Sequence, residues 1–191
     1  GIVCASAGNH AQGVAYSAAK LNIKADIFVP ENTPLQKIKS VRKFSDDNCT
    51  LHITGKNFDE CLNKARNMAD DNGNVFIHPF DDKDVVDGQG TIAVEIYEEL
   101  QPDIIIGCIG GGGLMAGISL YSKHVNPGCI LYGAESEDCC AMYKSIKSGN
   151  VVSLKSYDTF VDGASVKEVG KLNYEICKKN LEQVLLIDNG L

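Results

Sequence analysis

Asp103-Ile104-Ile105-Ile106-Gly107-Cys108-Ile109-Gly110-Gly111-Gly112-Gly113-Leu114 is the stretch on which the fold turns. Asp103 to Ile109 is the most apolar run in the chain and shows no alternation, which predicts a strand with both faces covered, as in a parallel sheet. The helix expected from Leu114 follows directly. Between them stand four consecutive glycines, at a conformational cost of up to about 1 kcal/mol each relative to alanine. Their use is to bring main-chain N–H groups close to an anion with no Cβ in the way, and the helix adds unsatisfied amides and the positive end of its dipole. A tight turn would need only one or two of the four. Strand, glycine loop and helix together predict a phosphate-binding loop.

Working outward, short β-branched runs alternate with longer helical ones. Strands are expected over Ala25 to Val29, Leu51 to Thr54, Val75 to Ile77, Ile130 to Ala134 and Val184 to Ile187. Between Pro30 and Leu51, Thr33 is expected to cap a helix with Pro34 at its first position, and Leu35, Ile38 and Val41 share one face. Asn57 to Asp70 is expected as a helix with Phe58, Cys61, Leu62, Ala65 and Met68 inward, ended by the turn Asp71-Asn72-Gly73-Asn74. Further helices are expected over Gln89 to Leu100 and near Val166 to Lys179. The alternation predicts an α/β fold with largely parallel sheets. The polar stretch His78 to Gly88 is the expected junction, giving a small domain over 1–80 and part of a larger one over 81–191.

Composition narrows the partners. With 44% hydrophobic and 23% charged residues the 191-residue chain is globular in type. Its net charge of −7 disfavours nucleic acid or an anionic membrane, both of which favour a basic face. No apolar run approaches the ~20 residues of a membrane span. The eight cysteines lie inside strand and helix patterns without a C-x-x-C, which reads as reduced thiols in a cytoplasmic setting. The chain opens on Gly1-Ile2-Val3-Cys4 and stops at Asn189-Gly190-Leu191 after an apparent strand. Both ends look cut, so the sequence reads as a fragment, and an organellar address stays open.

Two phosphorylated cofactors are compatible with the glycine loop. Gly111-x-Gly113-x-x-Ala116 fits a dinucleotide fingerprint, and Glu135 closes the next strand, where an acid would hold a ribose; that reading predicts a nicotinamide-dependent oxidoreductase. Such a unit ordinarily opens its domain, whereas this loop follows several strands and helices. It also leaves unexplained Ser6-Ala7-Gly8-Asn9-His10-Ala11-Gln12-Gly13, which leads into a helix of small residues. A helix cap needs one hydroxyl or amide. Here Ser, Asn, His and Gln crowd beside glycines, a loop suited to a carboxylate and a ring oxygen. His10 taken alone reads as structural.

Ser6-Ala7-Gly8-Asn9-His10-Ala11-Gln12-Gly13 followed by Gly110-Gly111-Gly112-Gly113-Leu114 resembles the threonine dehydratase family, a branch of the fold-type II pyridoxal-phosphate enzymes that also contains serine dehydratases and serine racemase. Pro30-Glu31-Asn32-Thr33-Pro34-Leu35-Gln36-Lys37, Phe76-Ile77-His78-Pro79-Phe80-Asp81 and Gly88-Gln89-Gly90-Thr91 match further segments. Phe160-Val161-Asp162-Gly163-Ala164-Ser165-Val166 is similar to the variant in threonine dehydratases of the isoleucine pathway. The resemblance implies a two-domain fold of the tryptophan synthase β type. It implies a lyase that uses pyridoxal 5'-phosphate to eliminate the β-hydroxyl of L-threonine, giving 2-oxobutanoate and ammonia. Serine dehydration or racemisation is the alternative within the family.

Carried onto this sequence, the resemblance implies that Gly110, Gly111, Gly112, Gly113 and the Leu114 amide bind the cofactor phosphate. Asn9 would bond the ring 3′-oxygen, and Ser6, Gly8, Asn9 and His10 would receive the substrate carboxylate. The family's Schiff-base lysine precedes the Ser-x-Gly-Asn-His loop, and Lys20, Lys24 and Lys37 sit in no matching context, so no catalytic residue is assigned. A cation near Ala134-Glu135-Ser136-Glu137-Asp138-Cys139-Cys140, as in serine racemases, lacks its second carboxylate because Ala141 stands there; no metal ligand is assigned. A homodimer or homotetramer is the assembly the family implies.

Overall fold

The structure, a computed structural model, describes residues 1–190. They fall into two compact units, Gly1–Pro79 and Phe80 onward.

The first unit contains β1 (Ile2–Ala5), α1 (Asn9–Leu21), β2 (Ala25–Val29), α2 (Leu35–Phe44), β3 (Cys49–Ile53), α3 (Phe58–Asn72) and β4 (Val75–Phe76). The strands form a parallel sheet in the order β3-β2-β1-β4, with Ile2 opposite Ala25 on one side and Val75 on the other. Both faces of β1 are covered. Cys4 and Ile27 pack on Ala11, Val14, Ala15 and Ala18 of α1 and on Val41 of α2. Val3, Ala5 and Phe28 pack on Cys61, Ala65 and Ala69 of α3. Alanines on both helices keep the backbone close to the sheet, so the small-residue run after Ser6 is a packing surface. The chain leaves β1 toward β2 and β3, and β4 then pairs on the opposite edge of β1. This reversal is a topological switch point, and ligands in open α/β sheets bind at the carboxyl ends of the strands beside it. The loop from Ser6 to Gly8 leaves β1 at that point.

The second unit contains α4 (Lys83–Glu99), β5 (Ile104–Cys108), α5 (Gly113–Val125), β6 (Ile130–Ser136), α6 (Ala141–Ser148), α7 (Lys171–Asn180) and β7 (Gln183–Ile187). Its strands are parallel in the order β5-β6-β7. Ile105, Leu131 and Val184 face a core shared with Met115 and Ile118 of α5, Met142 of α6 and Tyr174 and Cys177 of α7. α4 and α5 cross at two glycines: a Cβ on Gly117 would lie 2.5 Å from the Gly90 nitrogen and meet the Val86 carbonyl.

Several elements depart from the sequence expectation. β5 is covered on one face only among the described residues, with Ile104 52% and Ile106 61% exposed. α4 begins six residues before Gln89, because the Asp82 carboxylate accepts the Asp84 and Val85 N–H groups and starts the helix inside the supposed loop. α2 starts at Leu35 with Pro34 as its cap, and Thr33 does not cap it: the Thr33 hydroxyl is buried without a partner among the described residues. Phe58 is 42% exposed at the first position of α3, while Ala69 takes an inward position one turn after Ala65. α7 begins at Lys171, after an irregular segment from Val166. β1 and α6 have no counterpart in the expected series; four and eight residues long, they carry too few turns or alternations for a period to register.

Two candidate ligand loops

The seven helices among the described residues start in different ways. Asn57 caps α3, accepting the Glu60 N–H at 2.9 Å, and Asp82 caps α4. α6 receives a carboxylate from β6: Glu135 accepts the Met142 and Tyr143 N–H groups at 2.9 and 2.8 Å. α7 receives Asp81, whose two oxygens accept from Lys171 and Leu172 at 3.0 Å each. α2 starts on Pro34, without an N–H. α1 and α5 start on Gly8 and Gly112, with no side-chain cap and no acidic residue in the first turn. These two helix starts coincide with the two loops singled out in the sequence. Like α2, they leave first-turn amides without a side-chain acceptor, and here a glycine backbone and the dipole end give the chemistry an anion would need.

In the second unit, each of the four glycines has protein where a side chain would go. A Cβ on Gly110 would lie 3.2 Å from the Ala164 backbone, and one on Gly113 would lie 3.1 Å from the Phe80 carbonyl oxygen. A Cβ on Gly111 would run into the Phe80 ring. Gly112 combines a φ of +94° with a Cβ position 2.9 Å from both the Asn173 Cβ and the Met142 methyl. The loop is therefore pressed against Phe80, Ala164, Met142 and α7, and only a glycine backbone fits there. Its carbonyls are also taken. Gly111 O accepts from the Gly170 N–H and from Asn173 Nδ2, both at 3.0 Å, and Gly112 O accepts the Ala116 N–H at 2.9 Å. Among the assigned positions, Gly110 is half-buried, Gly111, Gly112 and Gly113 are buried, and Leu114 is half-buried on the first turn of α5.

In the first unit, Ser6 donates its N–H to the Phe28 carbonyl, which extends the β1 pairing by one residue. Its hydroxyl accepts the Gly8 N–H at 3.2 Å, so that amide, expected to meet a carboxylate, has an internal partner. Asn9 is exposed on the first turn of α1. His10 places Nε2 3.1 Å from the Ile77 carbonyl, which can only accept, so the proton is on Nε2. Burial is the main cause that pulls its pKa below 6.5, over the opposing pull of that carbonyl, and the ring is neutral near pH 7. The His10 side chain thus ties α1 to the end of β4, and its backbone N–H is the group left for a ligand.

Glu135 is 4% exposed, and both carboxylate oxygens are held by the first turn of α6. A ribose-binding acid must present its oxygens outward, so the nicotinamide reading loses its second element. Nor do the described residues gather three or more His, Cys, Asp or Glu side chains that could hold a cation. Burial pushes the carboxyl up to about 7, against the lowering pull of the two amides and of Lys144. Cys177, beside Glu135 in the core, is likewise pushed up to about 12 by burial, as is Cys4 in the first unit, and such thiols are poor nucleophiles. All eight cysteines are free. Among the described residues no helix is long and apolar enough to cross a membrane.

Sequence reasoning gives Asn173 and Gly170 no role, and gives Phe80 and Asp81 only a place in a matching segment. Their roles join positions sixty to ninety residues apart, and nothing local in Leu172-Asn173-Tyr174 announces a contact with Gly111.

Two parallel α/β units, one with a polar loop at a switch point and one with a glycine loop opening a helix, are the parts of a fold-type II pyridoxal-phosphate enzyme. The chain belongs to the pyridoxal-phosphate dependent enzyme family, which it matches over residues 1–190. It is 44% identical over 192 residues to the biosynthetic L-threonine dehydratase of Halalkalibacterium halodurans, and 44% identical over 196 residues to that of Staphylococcus aureus. Both alignments cover 100% of this chain and 46% of the relative, so the chain spans a little under half the length of the curated relatives it matches. Among solved structures, the processed form of threonine deaminase isoform 2 from Solanum lycopersicum superposes with a TM-score of 0.92 at 38% identity, covering 99% of this chain and 55% of that one. Maize serine racemase superposes with a TM-score of 0.91 at 29% identity, covering 100% and 57%.

Proposed function

We propose that this chain is part of a pyridoxal-phosphate-dependent lyase that converts L-threonine to 2-oxobutanoate and ammonia, as in isoleucine biosynthesis. One observation carries the reading: α5 starts on a glycine run with its amides uncapped, whereas four other helices have a side-chain oxygen on their first turn. An anion the size of phosphate suits that place, and the pyridoxal-phosphate dependent family matched over residues 1–190 supplies a cofactor that carries one.

In this reading Gly110, Gly111, Gly112 and Gly113 and the Leu114 amide hold the cofactor phosphate. Asn9 donates to the ring oxygen. Ser6, through its hydroxyl proton, and the backbone N–H groups of Gly8, Asn9 and His10 take the substrate carboxylate, with Gly8 exchanging its bond to Ser6 for one to the ligand. Uncapped amides suit this work because they are fixed before the ligand arrives, so little reorganisation accompanies binding. When bound, the cofactor supplies the electron sink that makes loss of the Cα proton feasible. The substrate is a small amino acid, and the assembly is a homodimer or homotetramer.

The full-length protein, supplied with the cofactor, should release 2-oxobutanoate from L-threonine faster than pyruvate from L-serine at equal subsaturating concentrations. A clear preference for serine would assign it to the dehydratase or racemase branch. Release of neither product would sink the lyase reading.

A further inference from the structure

Asn173 lies in the first turn of α7 and is wholly buried. Its side-chain amide donates to two carbonyls of distant segments, Phe80 O at 2.8 Å and Gly111 O at 3.0 Å. Both partners can only accept, which fixes the orientation of the amide group and uses both of its protons. Oδ1 is then left buried without a partner among the described residues. Such orphaned acceptors are costly and rare in cores, and an apolar side chain of the same size would avoid one. What the amide alone supplies is a pair of donors forked onto two main-chain carbonyls.

One of those carbonyls belongs to the glycine loop, and it accepts a second bond from the Gly170 N–H, also from the α7 side. The Gly111–Gly112 peptide is trans. In a trans peptide the C=O and N–H bonds point in opposite directions. A Gly111 carbonyl anchored twice toward α7 therefore turns the Gly112 N–H away from it, at the start of α5. The Phe80 bond acts on the same loop, since the Phe80 ring lies where a Gly111 side chain would be and its carbonyl abuts Gly113. We infer that Asn173 is a positioning residue of the phosphate loop: through the Phe80 and Gly111 carbonyls it locks the peptide plane that presents the Gly112 N–H to an anion. The inference rests on the reading of Gly110 to Gly113 as the phosphate loop.

The test compares the full-length wild-type protein with Asn173→Leu and Asn173→Ser, the second keeping a single donor. Affinities for pyridoxal 5'-phosphate and for pyridoxal, which lacks the phosphate, are measured by equilibrium dialysis, and the 31P resonance of the bound cofactor is recorded. Asn173→Leu should weaken the phosphorylated form by about tenfold or more, as when an N–H no longer reaches a charged group, and leave pyridoxal unchanged. Asn173→Ser should fall between, with the 31P resonance displaced in both variants. A preference for the phosphorylated form that stays at the wild-type value in the folded variants would overturn the inference, and Asn173→Ser carries the test alone if Asn173→Leu does not fold. A wild-type protein with no such preference would sink the phosphate-loop reading itself.

Discussion

At Gly112 the backbone sits at φ +94°, and two side chains already occupy the place of a Cβ. A left-handed conformation costs an L-residue about 1–2 kcal/mol before any clash is counted. Gly112→Ala should therefore lower the melting temperature of the full-length protein and weaken cofactor binding together; an alanine variant that binds the cofactor normally would show that the loop geometry does not matter. Glu135 makes a different case. Glu135→Gln keeps the size but replaces one acceptor oxygen with a donor, so one N–H at the start of α6 faces another donor, at about 1–3 kcal/mol. Its pH signature is specific. The folded-state pKa of about 7 lies above the ordinary 4.5, so the folded chain binds the extra proton between those values. The stability this proton lends is present below 4.5 and is lost as the pH rises to about 7, then stays level. Melting scans from pH 5 to 8 should show wild type losing stability relative to Glu135→Gln over that window. His10 runs the opposite way. Its pKa is lowered by folding, so stability falls as the pH drops below 6.5 and the unfolded ring takes up a proton the folded ring refuses. His10→Gln should blunt that acid sensitivity, and an unchanged acid limb would contradict the assigned burial.

Among the elements, the α4–α5 crossing is the one most sensitive to a single atom. Gly117→Ala would press a methyl against the Val86 carbonyl and the Gly90 nitrogen, which overpacking studies put at about 1–3 kcal/mol. α5 would shift with it, so the melting temperature and the cofactor affinity should both drop, whereas the same change at Gly88, with nothing within 4 Å of its Cβ position, should leave the affinity alone. Gly88 and Gly90 also show why the sequence alone places the start of α4 late. Four aspartates and a glycine over His78 to Gly88 read as a loop, and the Asp82 cap with Val86 and Ala93 buried beneath makes its second half a helix. The parallel α/β class and the glycine loop after β5 were legible because apolar runs and glycine clusters are local signals. The exposed face of β5 was not: an unbroken apolar run says that both sides could be covered, and Ile104 and Ile106 remain open. Thr33, expected as a cap, illustrates the same limit, since Pro34 holds an extended ψ of 139° and delays the helix by one residue. In the candidate site, the glycines and the Ser6 loop stand out in sequence by composition. Asn173 and Asp81 do not, since an isolated Asn or Asp is ordinary until the fold brings it to a particular carbonyl or helix end.

For the whole molecule, the two candidate ligand loops have the same construction: a parallel strand, a glycine start and a helix without an acid in its first turn. The substrate distinction lies below what such loops determine. Threonine and serine differ by one methyl, worth about 1–3 kcal/mol in a pocket, and threonine deaminase and serine racemase structures both superpose on this chain above a TM-score of 0.9. Turnover on the two amino acids answers that. The central claim is narrower, that the uncapped start of α5 is the seat of the cofactor phosphate. A crystal structure of the full-length protein grown with pyridoxal 5'-phosphate tests it directly. The account predicts the phosphate oxygens within hydrogen-bond distance of the amides between Gly111 and Leu114, with the Gly111 carbonyl still on Asn173. A phosphate bound elsewhere, with those amides facing only water, would contradict it.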